Sequence, residues 1–275
     1  MSQTMHPIDL TISGRRLHVW TGGAGPVLLL LHSAWGDAEM SWFRVWDELS
    51  RFFTIIAPDM PGFGASDPLD IPSLAANAQV LKDLLEDQKA DRPLVVGNSF
   101  GAAIAIEFAS AFPERTRRLV VVNGSYVPAL PGLLKKMVTG RFVEKKFRAV
   151  MRNVAYSDNA LAKAFPDPAV LPAGFFDRIH RNEERHSRIV FDAFMNQAAP
   201  QLQPAVPATV IWGTADRLTT MRQARILQKW LGNADFTPID GAGHMPQIER
   251  PEVFMDAIKR AEKSSDGRAP ATREP

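Results

Sequence analysis

The run Pro93-Leu-Val-Val-Gly-Asn-Ser-Phe-Gly-Ala-Ala-Ile-Ala-Ile-Glu-Phe108 constrains this chain more than any other. An apolar stretch stops at Gly97, a serine stands between two glycines, and an alanine-rich helical pattern begins at once, which predicts a strand, a sharp turn and a helix. At the tip of so tight a turn the serine is held in a strained conformation. The residues two before and two after it are pressed together, so only side chains as small as those of Gly97 and Gly101 fit. The hydroxyl of Ser99 then stands clear of the backbone. The helix opening at Phe100 directs free N–H groups and its positive dipole end toward negative charge developing beside it. Ser99 is the candidate nucleophile. Five residues of this kind also match by chance, so the weight lies on the strand and helix around them.

Around that turn the chain alternates. Ile8–Ile12 and Arg16–Trp20 are joined by Ser13-Gly14 and predict an antiparallel hairpin at a sheet edge. Val27–Leu31 is continuously apolar, as a central parallel strand covered on both faces must be. A helix is expected over Glu39–Arg51, a strand over Phe53–Ala57, a turn-rich loop over Pro58–Asp67 and a helix over Ser73–Gln88. Arg118–Val122 reads as a further buried strand ended by Asn123-Gly124. From Pro128 to Pro204 the strand signal stops. Leu133–Asn153 and Phe175–Gln197 look helical, with prolines 166, 168 and 172 breaking the region between. Strand Ala208–Trp212, helix Met221–Leu231, strand Asp235–Ile239 and helix Pro251–Glu262 complete the alternation. The fold expected is α/β, a mostly parallel eight-stranded sheet flanked by helices, with core residues 1–127 and 205–262, a helical cap over 128–204 and a disordered tail over 263–275.

A serine hydroxyl needs an imidazole to take its proton, and the imidazole needs a carboxylate to fix its tautomer. In an open parallel sheet such groups gather at the carboxyl ends of strands. Asp216 follows strand Ala208–Trp212, and His244 follows strand Asp235–Ile239 in Asp240-Gly-Ala-Gly-His-Met-Pro246. The order Ser99, Asp216, His244 is one that such catalytic triads take. Asp240 is the other acid at hand. Of the remaining histidines, His32 suits a structural or pocket-wall place, and His6, His18, His180 and His186 have no matching context.

Leu31-His32, Pro58-Asp-Met-Pro-Gly-Phe-Gly-Ala-Ser66, Gly97-Asn-Ser-Phe-Gly101, Trp212-Gly-Thr-Ala-Asp216 and Gly241-Ala-Gly-His244 together resemble the α/β-hydrolase superfamily, in the form with a helical cap. The likeness covers about Ile8 to Glu262. It implies an oxyanion hole, and by position its donors are the backbone N–H groups of Ala34 and Phe100. Many relatives carry His-Gly where this chain has His32-Ser33, which makes Trp35 the alternative first donor. His32, Ser33, Trp35 and Met245 are expected to contribute to the substrate pocket. The resemblance implies a serine hydrolase acting on a carboxylic ester of a small, largely apolar substrate. The alternative is a hydrolase of carbon–carbon bonds in the meta-cleavage products of aromatic degradation. Those enzymes commonly have tryptophan after the histidine, where Met245 stands here. A cofactor-free oxygenase or a ligand-binding receptor on the same fold would be a further class. Serine at the elbow argues against haloalkane dehalogenases and epoxide hydrolases, which use aspartate there.

Composition narrows the rest. A formal charge of +2 does not argue for nucleic acid as a partner, and no stretch is apolar for the roughly 20 residues a membrane span requires. The absence of cysteine excludes disulfides and thiolate chemistry, no His/Asp/Glu cluster has metal-ligand spacing, and no cofactor is expected. The start lacks the pattern of a secretory signal, so a cytoplasmic monomer or homodimer acting on a small molecule is expected. The basic segment Leu134–Arg148 is expected to be a solvated helix face, and Arg178, Arg181, Arg185 and Arg188 are candidates to meet a substrate carboxylate.

Overall fold

The computed structural model describes residues 5–126, 141–197, 199 and 201–263. Its strands are β1 (His6–Ile12), β2 (Arg15–Gly23), β3 (Val27–Leu31), β4 (Thr54–Pro58), β5 (Leu94–Asn98), β6 (Arg118–Val122), β7 (Ala208–Gly213) and β8 (Asp235–Ile239). They form one sheet in the order β1-β2-β4-β3-β5-β6-β7-β8. β1 and β2 pair antiparallel, as does β2 with β4, and every pairing from β4 through β8 is parallel.

The continuous apolar strands feed two cores. Leu29, Leu31, Val95, Val121 and Trp212 point to one face, where α3 (Leu74–Asp87), α4 (Phe100–Ala111) and α8 (Met221–Trp230) lie. Leu28, Leu30, Val96, Val120 and Ile211 point to the other, against α1 (Ala38–Trp42), α2 (Trp46–Leu49) and α10 (Pro251–Lys263). Alternate side chains of a strand face opposite ways, so a strand buried on both faces is apolar throughout. β8, the far edge, tolerates Pro238 because one side of its ladder is unpaired.

Between β6 and β7 the described residues form helices α5 (Arg141–Tyr156), α6 (Asp158–Ala164) and α7 (Phe175–Met195), with no strand among them. A four-residue helix, α9 (Pro246–Glu249), follows β8. The helix expected over Glu39–Arg51 is two pieces, because a tight turn from the Val45 N–H to the Trp42 carbonyl (2.9 Å) separates α1 from α2. Residues 133–140 of the helix expected over Leu133–Asn153, and the tail from 264, lie outside the described residues, while 141–153 of that helix fall in α5.

Topology sets the site. The chain crosses from β3 to β4 on one side and then to β5 on the other, so the loops after β3 and β5 part at a switch point at the carboxyl edge. Register places Leu31 beside Gly97. A Cβ on Gly101 would lie 2.3 Å from the Leu31 carbonyl, so glycine is what lets the two loops touch.

Candidate active site

Ser99 connects β5 to α4 with φ 55° and ψ −111°, a left-handed conformation that L-residues avoid. The turn persists because its surroundings enforce it. The Ser99 N–H donates to the Val122 carbonyl (3.0 Å), and a Cβ on Gly97 would meet the Gly101 carbonyl at 2.3 Å. The neighbouring Asn98 is buried; its amide donates to the carbonyls of Val122 (3.1 Å) and His244 (3.0 Å), and its oxygen accepts from Gln247 (3.2 Å). The residue beside the candidate nucleophile thus holds the backbone of the candidate base.

Asp216 and His244 meet at 2.7 Å, Oδ2 to Nδ1, and both are buried. Asp216 accepts four further hydrogen bonds: from the backbone N–H groups of Leu218 (2.8 Å) and Thr219 (2.9 Å), the Asn123 amide (2.7 Å) and the Thr219 hydroxyl (2.5 Å). Burial alone would raise this carboxyl's pKa, but the facing imidazole and the Thr219 donors outweigh it and hold it below the usual carboxylate range. An ionised carboxylate facing Nδ1 makes that nitrogen the donor and leaves Nε2 as a lone pair. Asp240 is exposed and takes the hydroxyl of Thr214 (3.1 Å), so it is not the partner of His244.

The two loops are tied to each other and to α6. The Ala215 N–H donates to the Ala242 carbonyl (2.8 Å), while the last carbonyls of α6, Lys163 and Ala164, accept from Arg217 (3.0 Å) and His244 (2.8 Å). Glu249 accepts the N–H groups of Gly243 (2.9 Å) and Met245 (3.1 Å), one on each side of His244, and burial raises its pKa.

After β3, His32 donates from Nδ1 to the Ser33 carbonyl (2.7 Å) and accepts the Met60 N–H at Nε2 (2.8 Å). Both ring nitrogens are occupied, and burial lowers the pKa, so His32 is a neutral brace between two loops. The Trp35 N–H points at the Ser33 hydroxyl (3.4 Å), and the Trp35 ring lies 4.9 Å from that of His244.

A cavity of about 450 Å³ opens on these groups. Ser99, His244, Ala34, Phe100 and Trp35 line it together with Phe147, Met151 and Tyr156 of α5 and Val190, Phe191, Phe194 and Met195 of α7. Three expectations need correcting: His32, Ser33 and Met245 are not among the lining residues, being buried behind them. None of Arg178, Arg181, Arg185 and Arg188 lines the cavity either. Arg178 pairs instead with Asp37 (2.5 Å) and Glu39 (3.6 Å), and Arg188 with Asp192 (3.7 Å). Among the described residues no group of three or more acidic or histidine side chains is placed to hold a metal ion.

Sheet order, elbow and buried acid–imidazole pair define an α/β hydrolase. The family model described as "Alpha/beta hydrolase family" matches residues 28–257, and the chain belongs to that family. It is 28% identical to a 2-hydroxy-6-oxononadienedioate/2-hydroxy-6-oxononatrienedioate hydrolase of Paraburkholderia phymatum, covering 88% of this chain and 89% of that one. It is 26% identical to Lipase 1 of Psychrobacter immobilis, covering 86% and 76% respectively. Among solved structures, an esterase from Thermogutta terrifontis superposes with a TM-score of 0.72 at 21% identity, over 94% of this chain and 99% of that one, which is a likeness of fold. Among the described residues no helix is long and apolar enough to cross a membrane.

Proposed function

We propose that this hydrolase cleaves carboxylic esters with a largely apolar acyl group through an acyl-enzyme on Ser99, beneath a cap formed by the helices between β6 and β7. The observation that carries the reading is the cavity: Ser99 and the Asp216-oriented His244 share one apolar space whose described lining holds no Asp, Glu, Lys or Arg. His244 Nε2 takes the proton from Ser99 as its oxygen adds to the ester carbonyl. The oxyanion rests on the N–H groups of Ala34 and Phe100, and the alkoxide leaves with the proton from His244. Water then enters by the same route and releases the acid. The engagement of the Trp35 N–H with Ser33 supports Ala34 over Trp35 as the first donor.

The second reading, carbon–carbon hydrolysis of ring-cleavage products, draws support from the Paraburkholderia relative. A dienoate in the cavity would bury a carboxylate, which is unfavourable by several kcal/mol without a partner cation. The described lining offers none. A fluorophosphonate probe is expected to label Ser99, found by peptide mapping, and Ser99→Ala is expected to lower turnover of a p-nitrophenyl ester by at least about 10³-fold. Retained turnover in that variant would end the proposal. A clear preference for a dienoic ring-cleavage product over the ester would reverse the order of the two readings.

A further inference from the structure

The loop after β3 runs His32-Ser33-Ala34-Trp35, and it is held from outside. The Tyr156 hydroxyl, at the end of α5, donates to the Ala34 carbonyl (2.9 Å), and the Trp35 indole N–H donates back to the Ala155 carbonyl (3.0 Å). Two consecutive residues of the loop are thus paired reciprocally with two consecutive residues of the cap. On the core side the Ser33 carbonyl is taken by His32. Tyr156 is 3% exposed, and its ring packs in an apolar cluster that includes Trp35 and Leu161.

We propose that Tyr156 is a positioning residue for the oxyanion hole: by fixing the Ala34 carbonyl from the cap it sets the orientation of the adjoining peptide, whose N–H meets the developing negative charge. The inference rests on the serine-hydrolase reading. An N–H donor stabilises a transition state only when it is already aimed where the oxygen will be, so a tilt of this peptide weakens the oxyanion without touching the acyl site. The loop and cap then form one unit, and the hole is complete only with the cap seated.

Tyr156→Phe keeps the ring and removes the hydroxyl. With a p-nitrophenyl butyrate assay, kcat is expected to fall by about 10- to 30-fold, less than deletion of a donor because the N–H is displaced and not lost. KM should stay within about twofold. An alkyl trifluoromethyl ketone, whose carbonyl becomes an oxyanion on addition of Ser99, should bind more weakly by the same factor as kcat/KM. Inhibition by hexanol, a neutral occupant of the cavity, should be unchanged. Wild-type kcat and ketone affinity in Tyr156→Phe would overturn the inference, as would a loss expressed wholly in KM or shared equally by hexanol. If that variant does not fold, Trp35→Phe removes the reciprocal bond and must show the same selective loss of ketone affinity; an unchanged affinity there overturns the inference. A wild-type protein inert to both ester and fluorophosphonate would instead remove the hydrolase reading, and this inference with it.

Discussion

Asp216 shows how much chemistry one carboxylate concentrates. Five donors converge on its two oxygens, one of them the imidazole of His244. Asp216→Asn would place an amide N–H against one of these donors and favour the histidine tautomer with its proton on Nε2, which cannot accept from Ser99. Ester turnover is expected to fall by about 10³- to 10⁴-fold with KM little changed, measured by steady-state kinetics. The three side chains of this reading were legible in the sequence because each follows an apolar strand in a glycine-bearing loop. Asn98, Asn123 and Thr219 were not. Their roles depend on which backbones lie side by side: Asn123 reaches Asp216 from just past β6 and Asn98 reaches the His244 carbonyl from β5, contacts that no local pattern encodes. Thr219 had one signal, its place three residues after Asp216, where a hydroxyl folds back on a turn aspartate.

The central strands were readable because burial on both faces leaves uninterrupted apolar runs, while their order in the sheet and the short helices were not. α6 and α9 have seven and four residues, too few to show a period, yet they clamp the loop that carries His244. α9 contributes Glu249, whose carboxyl receives the N–H groups on both sides of that histidine. Glu249→Ala would leave both buried N–H groups without an acceptor. It is expected to lower stability by about 2–4 kcal/mol, read from urea unfolding, and to reduce kcat while leaving the apolar cavity intact. Unchanged stability would mean that the loop is held sufficiently by its contact with the Ala164 carbonyl alone. Elements far apart along the chain therefore converge on one histidine: β5 through Asn98, α6 through Ala164 and α9 through Glu249.

At the scale of the whole molecule, the helices between β6 and β7 meet the core through a few polar contacts embedded in aromatic packing. The partly exposed Arg178–Asp37 pair contributes on the order of 1 kcal/mol or less. His186 is the more telling contact, since sequence reasoning gave it no role: it is 2% exposed, its ring stands 4.5 Å from that of Phe63, and its Nδ1 has no hydrogen-bond partner. Burial first, then the nearby His32 and Arg185, push its pKa down to about 4, against the opposing pull of Asp37 and the Ala34 backbone. Folding therefore favours the neutral ring. The unfolded chain takes up the proton near the ordinary pKa of 6.5, so the stability this group contributes is present above that pH and is lost as pH falls toward 4, by up to about 3 kcal/mol. Asp216, with its lowered pKa, also withdraws stability in acid, but it does so equally in a variant that keeps it. The comparison to make is urea unfolding of wild type and His186→Gln at pH 7.5 and 4.5. Glutamine carries no titrating group, so the variant should lose less stability over that interval than the wild type, by about 2–3 kcal/mol. Equal losses in the two proteins would show that protonation of this ring does not set how firmly the inserted helices are seated on the sheet.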